Sequence, residues 1–300
     1  MTAPAFTILL PVVRSPELLW FAIDSVRKQT LGDFELFIVS DGAPAETVAA
    51  GHDASSQDPR IRIFEFPKGE RHGEAHRHIA LEQARGRYIC QIADDDLWFP
   101  EHLEEMTKLL ADFEFGHVLE THMFVDEGPY LALTDLAEPA TRSKMEAEVF
   151  YHFGPTTAGY RIETYRSLPL GWSPAPRELP SDLFMWRKFL ALPGLVAGTR
   201  FVVTSLHFPT PLRREWPIER RRQEMAHYSA IIATQAGRDG IREQALRGAA
   251  REHMARHAYM TQLEDSVRKQ EMDLDGVRSS WSWRLTAPLR GVARLIGVKN

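Results

Sequence analysis

The sequence predicts an α/β fold, a mainly parallel sheet with helices on both faces. Two observations point to it. Short apolar runs that stop at turns alternate with segments of helical periodicity over the first 125 residues, and such alternation builds parallel sheets. The runs themselves are rich in Val, Ile, Leu and Phe, as expected of strands buried on both faces.

The elements follow in order. FTILLPVV (6–13) reads as the first strand. Ser15 and Pro16 read as N-cap and first residue of a helix whose Leu19, Ala22, Ile23 and Val26 recur at i, i+3, i+4 and i+7. FELFIVS (34–40), closed by Asp41-Gly42, and IRIFEF (61–66) are the next strands. HGEAHRHIALEQARG (72–86) is helical, with Gly86 as its stop, and RYICQIA (87–93) is a fourth strand. Pro100 opens a helix through LEEMTKLLADF, and HVLETHMFV (117–125) is a further strand. From 126 to 155 the periodicity weakens, which reads as an insertion or loop region crossing the sheet. SDLFMWRKFLA (181–191) is a helix and GTRFVVTSLHF (198–208) a late strand. Beyond 218 the character changes to charged helix, so the chain divides into a first domain over 1–218 and a helical extension over 219–300.

Composition narrows the function. The chain has 300 residues, 44% hydrophobic and 26% charged, with a net charge of -5. Those values fit a soluble globular protein and argue against general nucleic-acid binding, which leaves a basic footprint. Its one cysteine, Cys90, excludes an internal disulfide and a cysteine-rich metal site, and sits where a core thiol belongs. The start, MTAPAFTILLPVV, lacks the pattern of a signal peptide, and no run approaches the roughly 18 apolar residues of a membrane span. A cytoplasmic location is expected.

The segment QIADDDLWFP (91–100) sets three carboxylates against an apolar strand. Two unit charges about 4 Å apart repel by roughly 1 kcal/mol in water and by several-fold more near a protein surface. A solvated helix cap is one explanation and a bound cation another. If the strands are parallel, Arg14, Asp41 and Asp94–Asp96 gather on one sheet edge, where ligands of open α/β sheets bind. Carboxylates without cysteine or a close histidine pair suit a hard cation, Mg²⁺ or Mn²⁺.

LPVVRSPELLWFAIDSVRKQT, FELFIVSDGAP and GEAHRHIALEQARGRYICQIADDDLWFP, in that order, closely resemble the N-terminal half of family 2 glycosyltransferases, which have the GT-A fold. The matching pieces are Pro11 to Arg14, Gln29-Thr30, Ser40 to Ala43, Ala75 to His78, Ala84 to Ile89, and Asp94 to Pro100. The resemblance is strong over residues 5–110 and looser over 150–210. It implies that Asp41 accepts a hydrogen bond from the nucleotide base, that Pro11 and Val13 line the base pocket, and that Arg77 faces the nucleotide or its diphosphate. It makes Asp96 the direct Mn²⁺ or Mg²⁺ ligand and puts Asp95 on the ribose–diphosphate side. PSDLFMWRKFL resembles the family's Glu-Asp segment at a helix start, which makes Asp182 the catalytic base; from the residues alone the better reading is a helix N-terminal acid. His207, Arg213 and Arg214 follow the last strand, where related enzymes place groups over the diphosphate; a solvated basic loop is the other reading.

This sequence departs from the family pattern at several points. Val12, Val13 and Arg14 replace the usual Thr, Tyr and Asn, which leaves nucleotide preference open; Ser40, Ala93 and Ser181 replace acidic residues. The resemblance implies inverting transfer of a sugar from a nucleotide-diphosphate donor to an acceptor hydroxyl of a glycan or lipid-linked acceptor, in bacterial surface-polysaccharide or glycoconjugate synthesis. A nucleotidyltransferase of similar fold would carry a Gly-rich phosphate loop with a lysine near the first strand, and none is visible. A non-catalytic nucleotide- or glycan-binding module would tolerate Asp182→Asn. The tail SSWSWRLTAPLRGVARLIGVKN (279–300) mixes Trp281, Trp283, Leu285, Leu289 and Leu295 with Arg284, Arg290, Arg294 and Lys299. It also resembles a tail of bacterial surface-polysaccharide glycosyltransferases. It reads either as a peripheral membrane contact on the inner face or as a helix docking on protein, with the charged helix before it a spacer or homodimer contact.

Overall fold

The computed structural model describes residues 3–125 and 127–290. They form two compact units that divide between Leu246 and Arg247. In the first, strands β1 (Phe6–Val12), β2 (Phe34–Asp41) and β3 (Ile61–Phe66) alternate with helices α1 (Leu19–Arg27), α2 (Ala45–Gln57) and α3 (Glu74–Glu82). Strands β4 (Tyr88–Gln91) and β5 (Leu97–Trp98) flank the aspartates, followed by α4 (His102–Asp112) and the long β6 (Phe115–Phe124). Next come β7 (Gly128–Ala132), α5 (Pro139–Ala147), β8 (Ala158–Arg161) and α6 (Ile162–Ser167). Helix α7 (Ser181–Leu190), strands β9 (Ala197–Val203) and β10 (Ser205–Leu206), and α8 (Ile218–Ile232) follow. Helix α9 (Gln235–Ser279) starts in this unit and carries the chain into the second, where α10 (Trp281–Leu285) lies.

The main sheet has the order β3-β2-β1-β4-β8-β6-β7, with β9 also paired to β6. β1, β2, β3 and β4 are mutually parallel, and β6 and β9 are parallel. β8 is antiparallel to both β4 and β6, so β6 points the same way as β1. The carboxyl ends of β1, β2, β4, β6 and β9 therefore share one edge. β2 is buried along its whole length, as a central strand covered on both faces must be.

Three local readings shift. Helix α1 begins at Leu19 and takes no side-chain cap; Ser15 and Pro16 form the turn before it, and Thr47 Oγ1 donates to the Arg14 carbonyl at 2.8 Å. Helix α2 has no counterpart in the hydrophobic pattern because its buried face consists of Thr47, Ala50, Gly51 and Ala54. Small residues pack closely yet carry little apolar signal. The weakly periodic stretch after 126 holds β7 and α5, short elements whose buried faces are one or a few residues wide. Helix α8, which the sequence reading groups with the extension, lies in the first unit. Among the described residues no helix is long and apolar enough to cross a membrane. Arg294, Leu295 and Lys299 of the tail lie outside the described residues.

Candidate active site

The three aspartates are buried, with relative exposures of 5%, 3% and 0% for Asp94, Asp95 and Asp96, which rules out a merely solvated loop. Their repulsion is offset by cations from distant parts of the chain. Arg14 lies 2.6 Å from Asp95 Oδ2 and 3.3 Å from Asp94 Oδ1. Arg221 of α8 reaches the same Asp95 oxygen at 2.7 Å, and Thr210 Oγ1 donates to it at 3.0 Å. Asp96 accepts from Thr156 Oγ1 at 2.5 Å and from the Phe208 amide at 3.1 Å, and pairs with His207 Nδ1 at 3.0 Å. Burial pushes the Asp96 carboxyl up, but His207, Thr156 and the Phe208 N–H outweigh it and hold it below the usual range. Burial alone would lower His207; the carboxylates of Asp96 and Glu120 instead raise it to about 10. Asp94 goes the other way: burial and its two acidic neighbours push it up against Arg14.

The loop is anchored from behind. Gln29 Nε2 donates to the Phe99 carbonyl at 2.8 Å while its Oε1 accepts from the Leu103 amide at 2.9 Å. Trp98, 1% exposed, donates its indole N–H to the Thr156 carbonyl at 2.8 Å. β5 pairs antiparallel with β10, and this two-stranded ribbon brings His207 beside Asp96. The Gln-Thr at the end of α1 and the LWFP after the aspartates thus serve to fix the carboxylates in space.

Two cavities open on this edge. One, of 360 Å³, is lined by Pro11, Val13, Asp41, Lys68, Arg77 and Asp94, among others. The other, of 510 Å³, is lined by Asp95, Asp96, Glu120, His122, Tyr151 and His207, among others. Arg14, Ala93 and Asp182 line both. Asp182 stands in the first turn of α7, and its neighbour Ser181 donates a short hydrogen bond to Glu74 of α3. Burial raises the Asp182 carboxyl; the charges of Arg77, His72 and His207 oppose the rise without cancelling it. A carboxylate with an elevated proton affinity, exposed to two adjoining cavities, is equipped to accept a proton from a group held in one of them.

Asp41 ends β2 with its carboxylate already engaged. Lys68 Nζ lies 2.5 Å from Oδ2, the Gly69 amide donates to Oδ1 at 2.6 Å, and His76 Nδ1 is 3.1 Å from Oδ1. Burial raises this carboxyl, but those partners more than reverse it, and it stays below the usual range. Gly73 lies at φ +68°, and a Cβ there would fall 2.5 Å from Asp41 Cγ, so only glycine lets α3 approach this carboxylate. Arg77 is 4% exposed, stacks 4.2 Å from the Trp172 ring centre and donates to the His72 carbonyl at 3.1 Å. Its Nε has no hydrogen-bond partner among the described residues.

Strand order, the carboxylate-rich edge and the paired cavities invite comparison with known proteins. The model of the family described as glycosyl transferase family 2 matches residues 7–167, more than half of the chain. The chain belongs to glycosyl transferase family 2. It is 27% identical over 136 residues to an uncharacterized glycosyltransferase of Haemophilus influenzae, covering 45% of this chain and 50% of that protein. It is 28% identical over 153 residues to a chondroitin synthase of Pasteurella multocida, covering 50% of this chain and 16% of that one. The chain thus spans half or less of the length of these curated relatives. Among solved structures it resembles Staphylococcus aureus TarS 1–349 in complex with UDP-GlcNAc, with a TM-score of 0.55, 14% identity, and 83% and 72% of the two chains covered. It also resembles the mannosyltransferase PcManGT of Pyrobaculum calidifontis in complex with GDP-Man and Mn²⁺, with a TM-score of 0.51, 18% identity, and 99% and 88% covered. At such identities the likeness shows the fold, and the fold is GT-A.

In this family 2 chain Glu120, His122 and His207 each offer a ligand atom within 4.8 Å of one another, and the three could hold a metal ion. One carboxylate and two imidazoles, backed by Asp96 on His207 Nδ1, fit a first-row divalent cation. His122 suits the role, since burial and the charge of His207 lower it to about 4 and keep it neutral. Glu120 and His122 lie on one face of β6, but that strand is buried almost throughout, so neither stands out in the sequence. Arg221 carried no such signal, one of three consecutive arginines in a charged helix. Arg213 and Arg214 are not brought to the cavities. Arg213 is 1% exposed, held 2.6 Å from Glu224 and 2.8 Å from the Met123 carbonyl, and Arg214 is at the surface.

Proposed function

We propose that this chain transfers a sugar, with inversion, from a nucleotide-diphosphate donor to an acceptor hydroxyl. The observation that carries the reading is the position of Asp182, which lines both cavities at the point where they adjoin. The nucleotide occupies the cavity of Pro11, Val13 and Asp41, with Arg77 on its inner wall and Asp95 toward the ribose and diphosphate. The acceptor enters the other cavity. Asp182 takes the hydroxyl proton as that oxygen attacks the anomeric carbon, and the bond from that carbon to the diphosphate oxygen breaks with its electron pair leaving on the diphosphate. Mg²⁺ or Mn²⁺, held by Glu120, His122 and His207 with Asp96 orienting His207, would neutralise the leaving diphosphate. Arg14 and Arg221 add fixed positive charge on the same side.

Polysaccharide or glycoconjugate synthesis on the cytoplasmic side of a bacterial membrane is the setting we favour, with a glycan or lipid-linked acceptor. Support comes from the relatives' names and the basic tail. The C-terminal helices serve as the contact for a partner surface, either a membrane or a second copy. A thermal-shift screen of UDP-, GDP-, dTDP- and CMP-linked sugars with and without Mn²⁺ tests the donor site. Stabilisation by one nucleotide class that needs metal, and is lost in Asp96→Ala, supports it. No stabilisation by any nucleotide under any metal condition would refute the reading.

A further inference from the structure

The second unit poses a packing problem of its own. Helix α9 continues without a break to Ser279, and every residue from 253 to 279 is exposed. Helices gain most of their stability from a packed apolar face, and isolated ones are marginal in water. This stretch has such a face. Met260, Val267 and Leu274 recur every seven residues, and each is followed three positions later, by Leu263, Gln270 and Val277. The five apolar members are between 45% and 55% exposed.

A strict seven-residue repeat drifts about 20° per heptad around a straight helix, and stays on one seam only when two helices wind around each other. A membrane surface favours a broad stripe of period 3.6 and has no use for this spacing. The surface is also shaped for the purpose. Val267, Gln270, Glu271, Leu274, Asp275 and Arg278 border a hollow, and the first four hold the i, i+3, i+4 and i+7 positions that receive a knob from a facing helix.

We propose that α9 pairs in parallel, in register, with α9 of a second copy over residues 260–279. Charge selects both the partner and the direction. In the parallel arrangement the residues flanking the seam meet as Tyr259 with Glu264, Ser266 with Glu271, and Asp273 with Arg278. No like charges face each other, and symmetry makes the Asp273–Arg278 pair twice. The antiparallel arrangement that stacks the same apolar layers sets Glu264 against Glu271 of the other copy, a repulsive pair. Gln270 meets its own counterpart at the seam, and one buried polar layer of this kind fixes register and strand number at some loss of stability. This assignment stands apart from the glycosyl-transfer reading and survives if that reading fails.

The test uses the full chain. Light scattering after size exclusion should give a mass near twice 34.2 kDa. Val267→Asp with Leu274→Asp should halve it, whereas Met254→Asp with Met272→Asp, off the seam, should not. Parallel pairing brings the two copies of position 277 together, so Val277→Cys should oxidise to a disulfide-linked dimer; native Cys90 is buried. A single-chain mass at every concentration overturns the proposal, as does a dimer that survives both seam charges. A dimer in which Val277→Cys does not cross-link overturns the parallel register. A monomer that sediments with phosphatidylglycerol vesicles, and loses them with the two seam charges, assigns the face to lipid instead.

Discussion

The two cavities on the sheet edge are built over very different distances along the chain. Around Asp41 the partners Lys68, Gly69 and His76 lie 27, 28 and 35 residues away, inside the next strand–turn–helix unit. Around Asp96 the partners Thr156, His207 and Phe208 lie 60, 111 and 112 residues away, and Arg221 is 126 residues from Asp95. One side of the site can form as soon as a local unit folds. The other exists only once β8, β9 and β10 have closed on the first strands. Asp41 and Asp96, each with cationic partners at hand, stay below the usual carboxylate range, while Asp182 and Glu120 are buried with their proton affinity raised.

Asp182→Asn should have the largest effect, a fall in turnover of about 10²–10⁴-fold with the donor-induced thermal shift retained. If donor binding falls in step with turnover, Asp182 acts by holding the donor and not as the base. Asp96→Asn should weaken Mn²⁺ binding by roughly 10–100-fold, read by calorimetric titration, because it removes the carboxylate that orients His207. Unchanged Mn²⁺ affinity would place the metal elsewhere. Asp41→Asn should weaken nucleotide binding by about tenfold, the scale of one charge-assisted hydrogen bond, and leave Mn²⁺ affinity alone. The smallest effect is on pH dependence. A base must be unprotonated to act, so the turnover rate should rise with pH along a limb above the usual carboxylate range of about 4. Removing the opposing charge with Arg77→Gln lets Asp182 rise further and should move that limb to higher pH. A limb that Arg77→Gln leaves in place would count against Asp182 as the base.

The legible part of the site follows the local side of this division. Asp41-Gly42 and Asp94 to Asp96 are legible as a turn and a carboxylate cluster at strand ends, and the family resemblance adds Gln29-Thr30 and the run to Pro100. The placement of Arg14, Asp41 and Asp94–Asp96 on one edge follows from strand alternation alone. What stayed hidden has a physical reason in each case. Helix α2 buries only small residues, so its face has no apolar period. Glu120 and His122 lie in a strand whose buried pattern runs nearly unbroken, so two polar groups in it resemble ordinary interruptions. Arg221 is chosen from Arg220, Arg221 and Arg222 solely by which helix face turns toward Asp95. Arg213, a candidate for the diphosphate on sequence position, is instead claimed by Glu224 and the Met123 carbonyl.

By itself the sequence determined the alternating architecture, the shared edge of Arg14, Asp41 and the three aspartates, and the seven-residue repeat of the long helix. These depend on periods and neighbours that a linear chain displays. Only the tertiary structure decided that the aspartates are buried rather than solvated, that Arg14, Arg221 and His207 offset their charge, and that Asp182 stands where two cavities meet. Those outcomes depend on groups more than fifty residues apart coming within a few ångströms, and no local pattern encodes a distance of that kind.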